Sequence, residues 1–248
     1  MKREDFEFEV CANGVESCLT AQEGGADRVE LCAGIPEGGT TPSYGEIKTA
    51  RKLLTTTRLH VIIRPRGGDF LYSPLELERM EEDIRICKEL GVDGVVFGCL
   101  TEQGNVDMEQ CRRLLALARP MSATFHRAFD HTSDPMAAME QIITLGFDRI
   151  LSSGQCPKAA DGIPTLAAME QAARRRITIM AGSGVCEDNI RQLYEATGIR
   201  AYHFSLRERV ASRMAASSPL ASDNDLDVSH TLVTSAERVR HAIAQLAD

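Results

Sequence analysis

Four times along the chain the same junction recurs: a glycine, an apolar residue, a charged residue, then a short run of β-favouring side chains. It reads GADRVEL at Gly25–Leu31, GVDGVVF at Gly91–Phe97, GFDRILS at Gly146–Ser152 and GIRAYHF at Gly198–Phe204. Three of the four follow a stretch of helical periodicity, so the glycine is expected to be the left-handed residue that ends a helix. The run behind it is too short for a helix and reads as a buried strand. A chain punctuated in this way alternates helix and strand. Alternation calls for parallel pairing with right-handed crossovers.

The helix starts are equally legible. Ser73-Pro74-Leu75-Glu76 is a capping box with proline at the first helical position, and Leu77, Met80, Ile84 and Cys87 continue it as one apolar stripe. Asp134-Pro135 opens a further helix, with Met136, Met139, Ile142 and Ile143 expected on its inner side, and another spans Asn189 to Thr197. The predicted strands are Phe6–Val10, Arg28–Cys32, Leu59–Arg64, Gly94–Phe97, Ser122–His126, Arg149–Ser152, Ile177–Ala181 and Ala201–Phe204. Eight such repeats predict an α/β fold, a (β/α)8 TIM barrel, with a doubly wound open sheet as the structural alternative. All 248 residues are expected to form a single domain, with a Ser/Asp/Asn-rich loop over 211–231 before a last helix from Ser235 to Leu246.

In a barrel, strand parity decides which side chains meet inside. With Phe6, Phe8 and Val10 facing the helices, Glu7 and Glu9 turn inward; with Val29 and Leu31 outward, Glu30 and Cys32 turn inward. The same logic places Arg64, Thr124, His126 and His203 on inner faces and gathers Glu9, Glu30, Arg64, His126 and His203 near the C-terminal mouth, where barrel sites form. Charges so enclosed must pair or reach water. One outcome is a purely structural network in which Glu9 and Glu30 satisfy Arg64. The other is acid–base equipment for an anionic substrate, with Glu30 and His126 as the proton-transfer pair and Arg64 and Arg66 as the clamp. Backbone N–H groups at Gly182-Ser183-Gly184, expected to precede a helix at Glu187, and neutral donors at Ser152-Ser153-Gly154-Gln155 could add to an anion site. The nearest lysine to a strand end, Lys158, lies in a loop, which argues against a Schiff-base aldolase.

A formal net charge of −8 argues against nucleic acid and acidic membranes as partners, since both demand a basic face. No apolar run has the length of a membrane span, and the N-terminus, MKREDFEFEV, lacks an apolar stretch of signal-peptide length, so a cytoplasmic location is expected. The eight cysteines include no CxxC pair and are expected to be reduced thiols. Cys11, Cys32, Cys99, Cys156 and Cys186 fall at or just beyond strand C-termini, whereas Cys18, Cys87 and Cys111 lie in helices as small core residues. Thiolates beside a histidine would favour Cu(I) over hard cations.

Several stretches together resemble the CutC family: GADRVELC (Gly25–Cys32), EGGTTPS (Glu37–Ser43), IIRPRGGDFLYS (Ile62–Ser73), GNVD (Gly104–Asp107), TFHRAFD (Thr124–Asp130), SSGQ (Ser152–Gln155) and MAGSGV (Met180–Val185). The resemblance implies a cytoplasmic (β/α)8 barrel, often a homodimer, in a family named for copper homeostasis. Its motif positions here are Glu9, Glu30, Cys32, Arg64, Arg66, His126, Asp130 and the Ser153-Gly154-Gln155 turn. Behind His203 the chain departs from the expected small-residue pattern with Leu206-Arg207-Glu208-Arg209. Two readings result. In the first, copper as Cu(I) is held by Cys32 and Cys11, with His126 as a third ligand. In the second, a barrel enzyme acts on a small anionic metabolite bearing phosphate or carboxylate.

Overall fold

The computed structural model describes residues 1–213 and 229–247. Eight parallel strands close into a barrel in sequence order. They are β1 (Glu7–Ala12), β2 (Arg28–Leu31), β3 (Arg58–Ile62), β4 (Gly94–Phe97), β5 (Ser122–Phe125), β6 (Arg149–Ser152), β7 (Thr178–Ala181) and β8 (Ala201–Phe204). Closure is made by β1 on β8, with Glu9 beside His203 and Val10 beside Phe204. Among the described residues eight α-helices alternate with or follow the strands: α1 (Val15–Glu23), α2 (Tyr44–Leu53), α3 (Pro74–Glu89), α4 (Met108–Ala118), α5 (Pro135–Leu145), α6 (Ile163–Ala173), α7 (Ile190–Thr197) and α8 (Ala236–Ala244).

The local signals act as the sequence implies. Gly25, Gly91, Gly146 and Gly198 all have positive φ, between 70° and 90°, a region where a β-carbon would clash and glycine does not. The capping box at Ser73 and Glu76 is fully formed, with Pro74 opening α3, and the Leu77, Met80, Ile84, Cys87 stripe is buried. Asp134 accepts from the Met136 and Ala137 amides at the start of α5. Of that helix's four expected core residues, Met139 and Ile142 are buried, Ile143 packs only in part, and Met136, in the first turn, is exposed.

Alternation along the strands divides the protein into two interiors. Phe8, Val10, Val29, Leu31, Leu59 and Val61 face the helices and belong to the main apolar core. Inside the barrel the usual layers of branched aliphatics are reduced to a small separate cluster of Leu151, Met180 and Ala201. Ions occupy much of the rest. Arg28, fully buried, lies 3.0 Å from Glu7 and 2.8 Å from Glu9. Arg149 joins Glu7 from β6, and Glu9 reaches up to His203 at 2.6 Å. This ladder of alternating charge runs from the bottom of the barrel to the mouth.

The expected loop over 211–231 is corrected at both ends. Arg207–Ala211 forms a strand, β9, that pairs antiparallel with β10 (His230–Thr234), while residues 214–228 of that stretch lie outside the described residues. The hairpin stands beside the barrel, anchored where Asn13 donates to the Leu232 carbonyl and the Thr234 amide donates to Ser17. The charged run that breaks the pattern after His203 is thus an exposed strand, whose side chains carry little apolar periodicity.

Candidate functional site

A cavity of about 210 Å3 opens at the C-terminal ends of the strands. One side presents Cys11 from β1, Glu30 and Cys32 from the end of β2, and His203 from β8; the other presents Arg64 and His126, just past β3 and β5. Ile35, Ile62, Phe70 and Leu151 supply an apolar wall.

The thiol side begins with β1 and β2 lying in register, Cys11 opposite Glu30. The two sulfurs are 4.0 Å apart and hydrogen-bonded, and Cys32 donates to Glu30 Oε2 at 3.5 Å. His203 is held at Nδ1 by Glu9, 2.6 Å away, and Nε2 lies 3.7 Å from Glu30. Burial opposes charge on this imidazole, but hydrogen bonds to Cys11 and Glu9 and the field of Glu30 outweigh it and keep it protonated well above the usual histidine value. Burial also opposes ionisation of Glu9; the neighbouring Arg28 and the His203 hydrogen bond prevail and hold it well below the usual carboxylate range. The hydrogen bond shared with Cys32, against the cost of burial and with help from His203, holds Cys11 well below an ordinary thiol. Its partner Cys32 is pushed well above, by that same bond and by burial. Charge therefore settles on Cys11. Glu30, buried and facing Cys11 and Glu9, with His203 and the Cys32 bond relieving it only in part, is pushed up to about 8.

The opposite side is built differently. Arg64 donates to three backbone carbonyls, those of Glu37, Gly39 and Gly68, and its guanidinium stacks over Phe70 at 4.8 Å. Gly38 and Gly39 have φ of 88° and 89°, and a β-carbon on Gly38 would sit 2.9 Å from Arg64 Nη1. Only glycine lets the EGGTTPS loop wrap its carbonyls round the arginine. His126 accepts the Ala128 amide on Nδ1, and Nε2, buried, has no partner. Burial, then the nearby Arg64 charge, lowers its pKa to about 3. It is therefore neutral, with its proton on Nε2.

Several expected site residues fall elsewhere. Glu9 is beneath the cavity rather than on its wall, and its partners are Arg28 and His203 rather than Arg64. Arg66 is turned away into an ion pair with Asp69 and Glu76, so it forms no clamp with Arg64. Asp130 braces the β5 and β6 loops by accepting from the Ser152 and Ser153 hydroxyls, the Ser153 amide and Arg127. Ser153, thus engaged, does not line the cavity. The turn after β7 is not a cradle for an anion either. Gly182 packs so closely that a β-carbon would lie 2.5 Å from Leu151, Ser183 donates to the Pro157 carbonyl, and Gly184 lies against Lys158. Helix α7 starts only at Ile190, too far along the chain to aim its amides at the mouth. Among the described residues no hydrogen bond joins Glu30 to His126, and His126 belongs to neither group of side chains close enough to share an ion.

Arg28 was missed. Its parity with Glu30 and Cys32 is the signal that could have found it, but arginine at a strand's first residue reads as a solvated end. Cys156 and Cys186 lie outside the cavity wall, while Cys18, Cys87 and Cys111 are buried core thiols.

A closed (β/α)8 barrel with a thiol- and acid-lined mouth is the class that the fold and site define. The CutC family model matches residues 6–208. A CutC family protein of Bacteroides thetaiotaomicron is 56% identical over 241 residues, 96% of this chain and 97% of its own length. The human copper homeostasis protein cutC homolog is 47% identical over 209 residues, 84% of this chain and 76% of its own. The solved structure of a CutC protein from Streptococcus agalactiae superposes with a TM-score of 0.77 at 38% identity, covering 81% of this chain and 98% of that one. The chain belongs to the CutC family. Thiamine phosphate pyrophosphorylase from Pyrococcus furiosus, at 15% identity and a TM-score of 0.62, shares the fold alone. None of the helices among the described residues is long and apolar enough to cross a membrane.

Proposed function

We propose that this protein serves copper homeostasis by holding one Cu(I) ion between Cys11 and Cys32. The observation that carries the reading is the spacing and setting of the two sulfurs. Two metal–sulfur bonds of roughly 2.3 Å, opening at a trigonal angle, span about 4.0 Å, and the sulfurs stand 4.0 Å apart. Soft thiolates select Cu(I) over hard cations. Glu30 completes a group whose ligand atoms all lie within 4.8 Å of one another. Because it keeps its proton to about pH 8, it adds little negative charge at the site at neutral pH. His203, bonded through Nδ1 to Glu9 and with Nε2 facing Glu30, acts as the counter-charge that favours thiolate at Cys11 rather than as a ligand. The human relative's name, copper homeostasis protein cutC homolog, agrees with this reading.

Competition with a chromogenic Cu(I) chelator under anaerobic conditions tests it. The expected result is one Cu(I) per chain, lost in Cys11→Ser and in Cys32→Ala. A Cys32→Ala protein that binds as the parent does would end the proposal, and tighter retention of Zn(II) than Cu(I) would reassign the metal.

A further inference from the structure

The thiols use only one side of the cavity. On the other, two buried donors have no acceptor suited to them. Arg64, 5% exposed, has three neutral carbonyl partners and, among the described residues, no carboxylate within ion-pair distance; its Nε is also without a partner. His126, 4% exposed, offers the unpartnered Nε2–H. Both groups lie against Phe70, with the guanidinium 4.8 Å and the imidazole 4.9 Å from its centroid. A buried guanidinium with no counter-ion and a buried N–H with no acceptor are each costly. One anion seated between them would relieve both.

We propose that Arg64 and His126 form a subsite for the carboxylate of a small organic monoanion whose apolar body lies along Phe70, Ile62 and Leu151. Charge sets the valence. The Arg127 guanidinium, also on the cavity wall, is already engaged by Asp130 and Ser153, which leaves the Arg64 guanidinium to balance one negative charge. Chemistry sets the head group. The donors not already paired with an anion are the Arg64 guanidinium and one imidazole N–H, without lysine or a cradle of backbone amides, and that suits a planar carboxylate better than a phosphate. Size sets the body. About 210 Å3 is the space of roughly seven waters at ~30 Å3 each, enough for a short-chain acid. The far end of such a molecule would face the sulfurs and Glu30, so a bound acid would sit beside the copper position. The subsite itself does not depend on the metal.

The test uses pentanoate as probe, its uncharged counterpart pentanamide, and inorganic phosphate, each followed by saturation-transfer NMR and thermal shift on the metal-free full chain. Pentanoate is expected to bind with Kd of about 1 mM, and pentanamide and phosphate at least about tenfold more weakly. His126→Gln, which keeps a donor near the Nε2 position, should retain most of the binding. His126→Leu should lose about tenfold or more, as should Arg64→Gln. The pair Cys11→Ser/Cys32→Ser should bind pentanoate as the parent does, which separates this subsite from the copper proposal. Equal binding of pentanoate and pentanamide, unchanged binding in His126→Leu, or no pentanoate signal at concentrations about tenfold above that Kd would each overturn it.

Discussion

Replacing Arg28 with methionine probes the ladder on which the mouth rests. Arg28 and Glu9 are both fully buried and 2.8 Å apart, and Glu9 in turn positions His203. Methionine roughly keeps the volume but leaves Glu9 with His203 alone. Breaking a buried pair by removing one partner typically costs about 3–5 kcal/mol, because the remaining charge is stranded. At about 2–4 °C per kcal/mol for a chain of this size, the midpoint of thermal unfolding should fall by roughly 6–20 °C. The pH dependence has a definite sign. In the parent, Glu9 is held below its usual range, so its contribution is present above the unfolded carboxylate value and is lost as pH falls through the depressed one. In the variant the stranded carboxyl is pushed upward, so the gap between the two proteins should widen as pH rises above about 4.5 and close in acid. Adding Glu9→Gln removes the stranded charge and should restore part of the loss. Calorimetric melts from pH 4 to 8 read all of this. A variant melting within about 2 °C of the parent, with no recovery on adding Glu9→Gln, would refute the ladder as a source of stability.

Three further outcomes follow from the same geometry. His126 is neutral in the fold with a pKa of about 3, so its contribution is present above about pH 6.5 and is lost as pH falls from there toward 3. Up to roughly 5 kcal/mol is at stake, and His126→Gln should flatten that part of an acid denaturation curve. Gly38→Ala forces a side chain into φ of 88° against Arg64 Nη1; it should cost at least about 1–2 kcal/mol in urea unfolding, and no change would show that the loop need not wrap the arginine. Ser73→Ala removes half of the capping box on α3 and should lower stability by about 1 kcal/mol without altering copper binding.

Much of the fold could be read from local chemistry. The four glycines with positive φ, the proline-led helix starts and the short apolar runs each state one element's type without reference to the rest of the molecule, and strict alternation then leaves few topologies. Strand parity extended that reading into the barrel, since inward-facing side chains of β1, β2, β5 and β8 must share a space once the sheet closes. What parity lacks is height along the strand axis and the path of the loops. Glu9 and Glu30 share a side of the barrel, yet one is buried beneath the mouth and the other lines it. Arg66 and Arg64 are two residues apart, yet the loop after β3 turns one outward to Asp69 and Glu76. Arg28 went unrecognised because an arginine at a strand's first residue reads as a solvated end, although its partners Glu7 and Glu9 lie on the adjacent strand. The β9–β10 pair was equally hidden, since a charged strand beside a largely exposed one has almost no buried face to imprint a pattern.

X-ray absorption at the copper K edge of protein loaded anaerobically with one Cu(I) per chain addresses the thiol pair itself. Two sulfur neighbours at about 2.3 Å are expected in the parent, with the metal no longer retained in Cys11→Ser or in Cys11→Ser/Cys32→Ser. A first shell of nitrogen and oxygen alone in the parent, or a spectrum that the double substitution leaves unchanged, would place copper elsewhere and contradict the assignment of this mouth as its site.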